Sequence, residues 1–232
     1  MPIGFFTRGV EFTLPHPPIP ERTILLLTKV IRRAWQLLEE NPPTGFNMQL
    51  ADEDTFTQIL VEIIENRLRK SGEINGFNNE LFGRVSRDQK ITNFDKKHPD
   101  KMPDFFFELR RGNLPILSDQ DGLFVECKPI DPKHTISSCY CNKGLVRFVN
   151  GDYAWAMQDA LMVGYAKEGY SFAQLAFILD DVKNKTILKP IEHSAIDEHA
   201  IYRSSHRRDF LWPEYLGSAC PISISHLWLL IR

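Results

Sequence analysis

MPDFFFELRRGNLPILSDQDGLFVECKP, residues 102–129, is the stretch of sequence from which we predict the fold. Two runs typical of strands, Asp104–Arg110 and Leu123–Lys128, flank a loop that contains glycine and proline. Because side chains alternate between the two faces of a strand, Glu126 and Lys128 point the same way. If the two runs pair as a hairpin, the acid that begins the first run comes close to Glu126. We therefore expect two carboxylates and one ammonium at the rim of an apolar sheet.

Length and composition are those of an ordinary globular chain. It has 232 residues, a net charge of -2, 43% hydrophobic residues and 25% charged residues, which fits one large domain. The four cysteines lack the spacing of a disulfide framework, and no signal peptide or membrane-spanning run is recognisable. We therefore expect a cytoplasmic protein that does not associate with a membrane.

The chain divides into three predicted segments. Residues 1–50 form a lead-in and a packing helix, Glu21–Glu40, which follows a proline cluster and stops before two further prolines. Residues 51–182 form the predicted core. Residues 183–232 form a basic extension and a final strand, which we expect to belong to the same domain.

The segment Asp52–Lys70 gives the strongest helix signal, with one apolar stripe centred at about 20–30° on a wheel of roughly 100° per residue. Glu53 falls at about 60°, inside the stripe, whereas Glu62 and Glu65 fall at about 240° and about 180° and should face solvent. Two interpretations of Glu53 stay open. It is either an acid favoured by the helix dipole or a third acid of an active site.

The elements after the hairpin are predicted from shorter patterns. Pro129–Lys143 reads as a loop, and within Leu145–Lys167 we predict a helix that begins after its cap, Asp152. Phe172–Asp180 is short and nearly continuously apolar, which favours a buried strand. A hairpin followed by a helix and a buried strand indicates an α/β fold with a mixed sheet.

The sequence contains Pro103-Asp104 and, after a gap of 21 residues, Glu126-x-Lys128. This pattern resembles the motif of the PD-(D/E)XK (restriction endonuclease-like) nuclease superfamily. The order of predicted elements, from a helix with an inward acid through the hairpin to a helix and an apolar strand, is similar too. The resemblance covers roughly Asp52–Asp180. It implies a restriction-endonuclease-like core, in which helices flank a central mixed β-sheet.

The resemblance also implies an activity, that of a Mg²⁺-dependent endo- or exonuclease that cuts DNA, with a role in restriction or anti-phage defence. Magnesium prefers oxygen ligands, which Asp104, Glu126 and the backbone carbonyl of Cys127 can supply. Mn²⁺ is expected to substitute. In this resemblance Lys128 positions or activates the attacking water, and Glu53 holds a metal-bound water or a second metal. The predicted catalytic residues are therefore Asp104, Glu126, Lys128 and Glu53.

Basic residues on both sides of the hairpin are candidates for contact with a phosphate backbone. Arg110 and Arg111 end its first run, and Lys143, Arg147 and Gln158 are polar members of the segments that follow. A solvated charged face is the plainer interpretation of such a pattern.

Other interpretations of the whole chain stay open. The hairpin acids and lysine are also consistent with an ordinary surface Glu/Lys pair. A catalytically inactive nuclease fold could bind nucleic acid or a partner protein, and a nuclease could act on RNA. Cleavage of both strands of a duplex favours a homodimer by symmetry, and a partner protein of a defence system would serve the same end.

Overall fold

A mixed β-sheet forms the centre of this computed structural model, which describes residues 12–97, 99–112, 114–194, 200–212 and 217–232. Within those residues the sheet has seven strands. In chain order they are β1 (Phe82–Ser86), β2 (Phe105–Leu109), β3 (Gly122–Ile130), β4 (Asp159–Ala166), β5 (Pro190–His193), β6 (Tyr202–His206) and β7 (Ile222–Leu230). The predicted α/β class with a mixed sheet is confirmed.

The strand order across the sheet is β1-β2-β3-β4-β7-β6-β5. The three central strands β3, β4 and β7 run parallel, and the remaining neighbours pair antiparallel. The predicted hairpin is present as β2 and β3, with Phe105 opposite Val125 and Phe107 opposite Leu123. The predicted final strand is β7, which lies inside the sheet and not at its edge.

Two N-terminal helices cover one face of the sheet. Helix α1 (Glu21–Glu40) has the predicted bounds, and the Trp35 ring stacks on Tyr165 of β4 with centroids 5.8 Å apart. Helix α2 (Glu53–Ile63) begins after Asp52, whose carboxylate accepts a hydrogen bond from Thr55 N at 2.9 Å. The helix continues as a π-helical turn, Ile64–Leu68, and ends in α3 (Arg69–Ser71). The predicted helix Asp52–Lys70 is therefore confirmed.

The segment between β3 and β4 differs from the prediction. The predicted loop Pro129–Lys143 is wrong, because Ile136–Leu145 is π-helical and leads directly into α4 (Val146–Asn150). The helix predicted after Asp152 is also wrong, because Asp159–Ala166 is the strand β4 and the helical residues of this segment, Val146–Asn150, precede Asp152. Every residue of that strand after the first is buried, so the strand shows no alternation of polar and apolar residues.

The predicted strand Phe172–Asp180 is wrong, since this segment is helix α5 with the same bounds. Helix α6 (Val182–Leu188) follows it. Buried residues Phe172, Leu175 and Leu179 recur at helical spacing, while Phe177 is 78% exposed. Ser171 and Gln174 form a capping box, which is the signal that separates this helix from a short apolar strand.

One buried apolar cluster joins α1, α2 and the sheet, from Ile19 to Ile231. A smaller cluster around Trp155 and Trp212 lies beside it. Within the described ranges no helix is both long and apolar enough to cross a membrane.

Candidate active site

Four side chains converge at one end of the β2–β3 hairpin, around the Lys128 ammonium. Lys128 Nζ lies 2.7 Å from Glu53 Oε1, 2.8 Å from Glu126 Oε1 and 3.5 Å from Asp104 Oδ2. It also donates a hydrogen bond to the Cys127 carbonyl at 2.5 Å. All four side chains predicted to be catalytic, and the one predicted carbonyl, therefore meet at a single point.

The local structure explains why these groups meet. Asp104 precedes β2, and its Oδ2 accepts a hydrogen bond from Cys127 N at 2.6 Å, which fixes this carboxylate against β3. Glu126 and Lys128 share a face of β3, while the Cys127 side chain between them is fully buried on the other face. Glu53 is the first residue of α2, and the packing of that helix brings it within reach of Lys128.

The other two acids of this helix behave differently from each other. Glu62 is exposed, as predicted. Glu65 was predicted to face solvent, but its carboxylate accepts hydrogen bonds from Val85 N at 2.9 Å and Arg69 Nη2 at 2.8 Å. Glu65 lies in the π-helical turn, and its contact with Val85 of β1 is one that a helical wheel of α2 alone does not include.

Glu126 has a second set of partners that the sequence did not reveal. The Tyr153 hydroxyl donates to Glu126 Oε2 in a short hydrogen bond. Arg147 Nη1 lies 3.0 Å from Glu126 Oε1 and 3.4 Å from the Tyr153 hydroxyl. Tyr153 is fully buried and packs against Phe124 and Phe148. We therefore assign Tyr153 to the site as a residue that positions Glu126.

A glycine permits the helical segment to lie close to these side chains. A Cβ atom on Gly144 would stand 3.0 Å from Lys128 Cγ and 3.5 Å from Glu126 Cγ, and 2.8 Å from Met162 Cε. A larger residue at this position would press on the two side chains of β3 that carry the site. The segment Ile136–Leu145 therefore forms one wall of the site.

Burial and mutual repulsion perturb the carboxyl groups. Burial, followed by the charge of Asp104, raises the pKa of Glu126 to about 7. Burial also raises the pKa values of Asp104 and Glu53, and Lys128 opposes both shifts. Burial disfavours the Lys128 ammonium, yet the charges of Glu126, Asp104 and Glu53 outweigh it and hold its pKa above the ordinary value. Lys128 is therefore a cation at every physiological pH.

The five residues predicted to contact nucleic acid divide into two groups. Arg147 belongs to the site, and Lys143 is exposed nearby on the same helical segment. Arg110 is exposed at the end of β2, with its Nη1 donating to Asn79 O at 2.5 Å. These three side chains remain candidates for contact with a phosphate backbone.

Arg111 and Gln158, the other two residues predicted to contact nucleic acid, make hydrogen bonds within the protein, and their contact with nucleic acid stays a prediction. Arg111 pairs with the buried carboxylate of Asp121, and its Nη1 donates to Pro17 O at 2.6 Å. Gln158 Nε2 donates to His16 O at 2.8 Å. Both side chains connect the N-terminal lead-in to the sheet by hydrogen bonds between residues that are distant in sequence.

The site offers carboxylate and carbonyl oxygens, which are the ligands of hard cations such as Mg²⁺. In the structure these oxygens surround the Lys128 ammonium. Across the described ranges, no three Asp, Glu, His or Cys side chains stand ready to hold one metal ion. Glu126 Oε1 is buried, and two cations contact it, Lys128 Nζ at 2.8 Å and Arg147 Nη1 at 3.0 Å. Carboxylate and carbonyl oxygens are what Mg²⁺ prefers, so the donor set fits Mg²⁺ in competition with Lys128.

We compared the chain with known protein families, curated proteins and solved structures. No protein-family model, no curated protein and no solved structure matches the chain. The function must therefore be inferred from the site itself.

Proposed function

We propose that the chain is a Mg²⁺-dependent nuclease that hydrolyses phosphodiester bonds in DNA, on a restriction-endonuclease-like core of the PD-(D/E)XK type. One observation carries the proposal: Asp104, Glu126 and Glu53 surround Lys128 within 3.5 Å. Burying three carboxylates together costs free energy unless cations compensate them, and a merely structural hairpin has no need of such a cluster.

Hydrolysis of a phosphodiester requires an activated water and compensation of the charge that develops on the phosphate. Asp104, Glu126 and the Cys127 carbonyl would hold Mg²⁺, which lowers the pKa of water and neutralises phosphate charge when it is bound. Because Lys128 stays protonated, we assign it to hold the phosphate charge and orient the water. Glu53 is best placed to accept the proton of that water, because its side chain is 25% exposed against 15% for Asp104 and 0% for Glu126.

Arg147 would add a second cation. It is 40% exposed and pairs with Glu126, so it can turn toward a phosphate without unfolding any element. Counting full charges, three carboxylates and the cations of Lys128 and Arg147 leave the site at -1. A site of this charge repels a bare phosphate and favours a dication first.

The decisive experiment incubates the purified chain with plasmid, linear duplex, single-stranded DNA and RNA, with Mg²⁺, with Mn²⁺ or with EDTA. Asp104→Asn and Lys128→Met should each abolish metal-dependent cleavage. Glu53→Gln and Glu62→Gln form a matched pair on one helix, and only the first should impair cleavage. Cleavage that survives both Asp104→Asn and Lys128→Met would overturn the assignment of the site.

The same assay separates the alternatives. Binding to DNA without cleavage under either metal would favour an inactive binding module, and preferential cleavage of RNA would change the substrate. The cysteines of the chain are all free, which supports a reducing compartment, and we propose the cytoplasm. A role in restriction or anti-phage defence and a homodimeric or partnered assembly are proposals that rest on the nuclease activity.

A further inference from the structure

A cleft of about 620 Å³ opens beside the proposed active site and shares Glu53 with it. Its walls are the segment before α2, residues 48–52, and the segment after β3, residues 131–134. Lys167, which follows β4, closes a third side. The cleft therefore lies at the carboxyl ends of two parallel strands, the edge of an α/β sheet where ligands commonly bind.

The cleft combines an apolar wall with an unexplained exposed side chain. Leu50 at its rim is 82% exposed, although Phe56 and Tyr165 at its base are buried. Pro132 lies on the opposite wall. A flat aromatic ligand between these surfaces would cover Leu50 without disturbing the core.

The cleft is lined by three carboxylates and two lysines, and among the described residues each carboxylate has a hydrogen-bonding or ionic partner while the lysine side chains do not. Asp52 caps α2, Glu53 pairs with Lys128, and Asp131 accepts from the backbone of Lys133 and His134 and contacts the His134 ring. Two lysines of the cleft have no such partner. Among the described residues, no carboxylate lies within ion-pairing distance of Lys133 or Lys167.

We propose that this cleft binds one unpaired nucleotide of the substrate strand, next to the phosphate that is cut. Its base would lie against Leu50, and its outer phosphate would contact Lys133 and Lys167. The volume falls in the range of roughly 300–1,000 Å³ that accommodates small organic ligands. A base can enter only after it leaves the duplex stack, so single strands, overhangs and frayed ends are the substrates that this cleft selects.

The inference rests on the proposed function for its position beside the scissile phosphate, but its test does not depend on cleavage. Deoxyadenosine 5′-monophosphate, deoxyadenosine and inorganic phosphate are titrated into the wild-type chain in EDTA, with binding followed by NMR. The nucleotide should bind more tightly than either of its parts. Lys133→Ala and Lys167→Ala should each weaken nucleotide binding roughly tenfold, since each removes a charge-assisted contact.

Two further variants make the test specific. Leu50→Ser should weaken binding of deoxyadenosine and of the nucleotide but not of phosphate. Lys29→Ala, an exposed lysine on α1 outside the cleft, should change nothing. Nucleotide binding that is absent, or that survives all three cleft variants, would overturn the inference.

A cleavage assay then distinguishes the two proposals. Cleavage by a chain that binds no nucleotide in EDTA would leave the nuclease standing and refute the cleft. Nucleotide binding by a chain that never cleaves would support the cleft as a binding site and refute the nuclease. If both hold, Lys133→Ala and Lys167→Ala should slow cleavage of single strands and overhangs more than cleavage of blunt duplex.

Discussion

Replacing Lys128 by methionine should tighten Mg²⁺ binding even though it should abolish the proposed cleavage. The ammonium now takes the oxygens that a metal would use, at 2.7 Å from Glu53 Oε1 and 2.8 Å from Glu126 Oε1. Methionine keeps the length of the stem but removes its charge. The charge of the site falls from -1 to -2 once Arg147 is its only cation, which favours a dication further.

The magnitude follows from these distances. At an effective dielectric constant of about 20, each of the two close pairs attracts with about 6 kcal/mol. Desolvation of each buried ion offsets several kcal/mol of that attraction. We expect the free energy of Mg²⁺ binding to become more favourable by about 1.4–2.8 kcal/mol, which corresponds to roughly 10- to 100-fold tighter binding.

Calorimetric titration of Mg²⁺ and thermal unfolding together measure this effect. Without metal, Lys128→Met should unfold at a lower temperature, because removal of one partner of a buried ion pair costs about 3–5 kcal/mol. Saturation with Mg²⁺ at about 100 times Kd restores about 2.7 kcal/mol, or about 5–10 °C for a chain of this length. Lys143→Met, an exposed lysine on the neighbouring helical segment, is the matched control and should match wild type in both measurements. Mg²⁺ binding by Lys128→Met that is no tighter than wild type would refute competition between the ammonium and the metal.

Three further outcomes follow from the buried groups. Tyr153→Phe keeps the ring packing but removes the hydroxyl that donates a hydrogen bond to Glu126. The Mg²⁺ affinity measured by calorimetry should therefore fall about 10- to 100-fold. An unchanged affinity would exclude the positioning role of Tyr153. Because the pKa of Glu126 is raised to about 7, a proton competes with the metal for this carboxylate below that pH. Mg²⁺ should therefore bind about tenfold more weakly at pH 6 than at pH 8. An affinity that does not change with pH would contradict this competition. Burial lowers the pKa of His206 from 6.5 to about 4, so its contribution to stability is present above pH 6.5 and is lost as pH falls toward 4. By chemical denaturation, the loss of stability between pH 7.5 and pH 5 should be about 2 kcal/mol smaller in His206→Gln than in wild type, because His16 and His226, whose pKa values burial also lowers, are unchanged in the variant. An equal loss in the two proteins would refute the contribution of His206.

The parts of the fold that the sequence predicted correctly are those with a local signal. Helix α1 was predicted with its observed bounds because Pro20 precedes it and Pro42 and Pro43 follow it. The hairpin was predicted from two apolar runs, and alternation along β3 placed Glu126 and Lys128 on one face. Glu53 lies near the start of a regular helix, so its angle on the wheel stayed accurate.

The errors arose where the deciding contacts are distant in sequence. Strand β4 and helix α5 were predicted as helix and strand, since buried apolar runs have no periodicity that separates the two. Tyr153 was missed because its hydroxyl meets Glu126 from 27 positions away. The contacts of Arg111 with Asp121 and the N-terminal lead-in were also missed, because no local pattern indicates them. The prediction that Arg111 contacts nucleic acid stays a prediction.

The position of β7 in the sheet has a consequence for the timing of activity. Strand β3 carries Glu126 and Lys128, and its parallel neighbour β4 is completed on its other side by Ile222–Leu230. During synthesis the hairpin and all four site residues leave the ribosome long before that strand does. The centre of the sheet can close only after translation has passed residue 230, so a shorter nascent chain would carry the four site residues without the complete sheet that holds them. Such an order of assembly would keep the proposed nuclease inactive until β7 has left the ribosome.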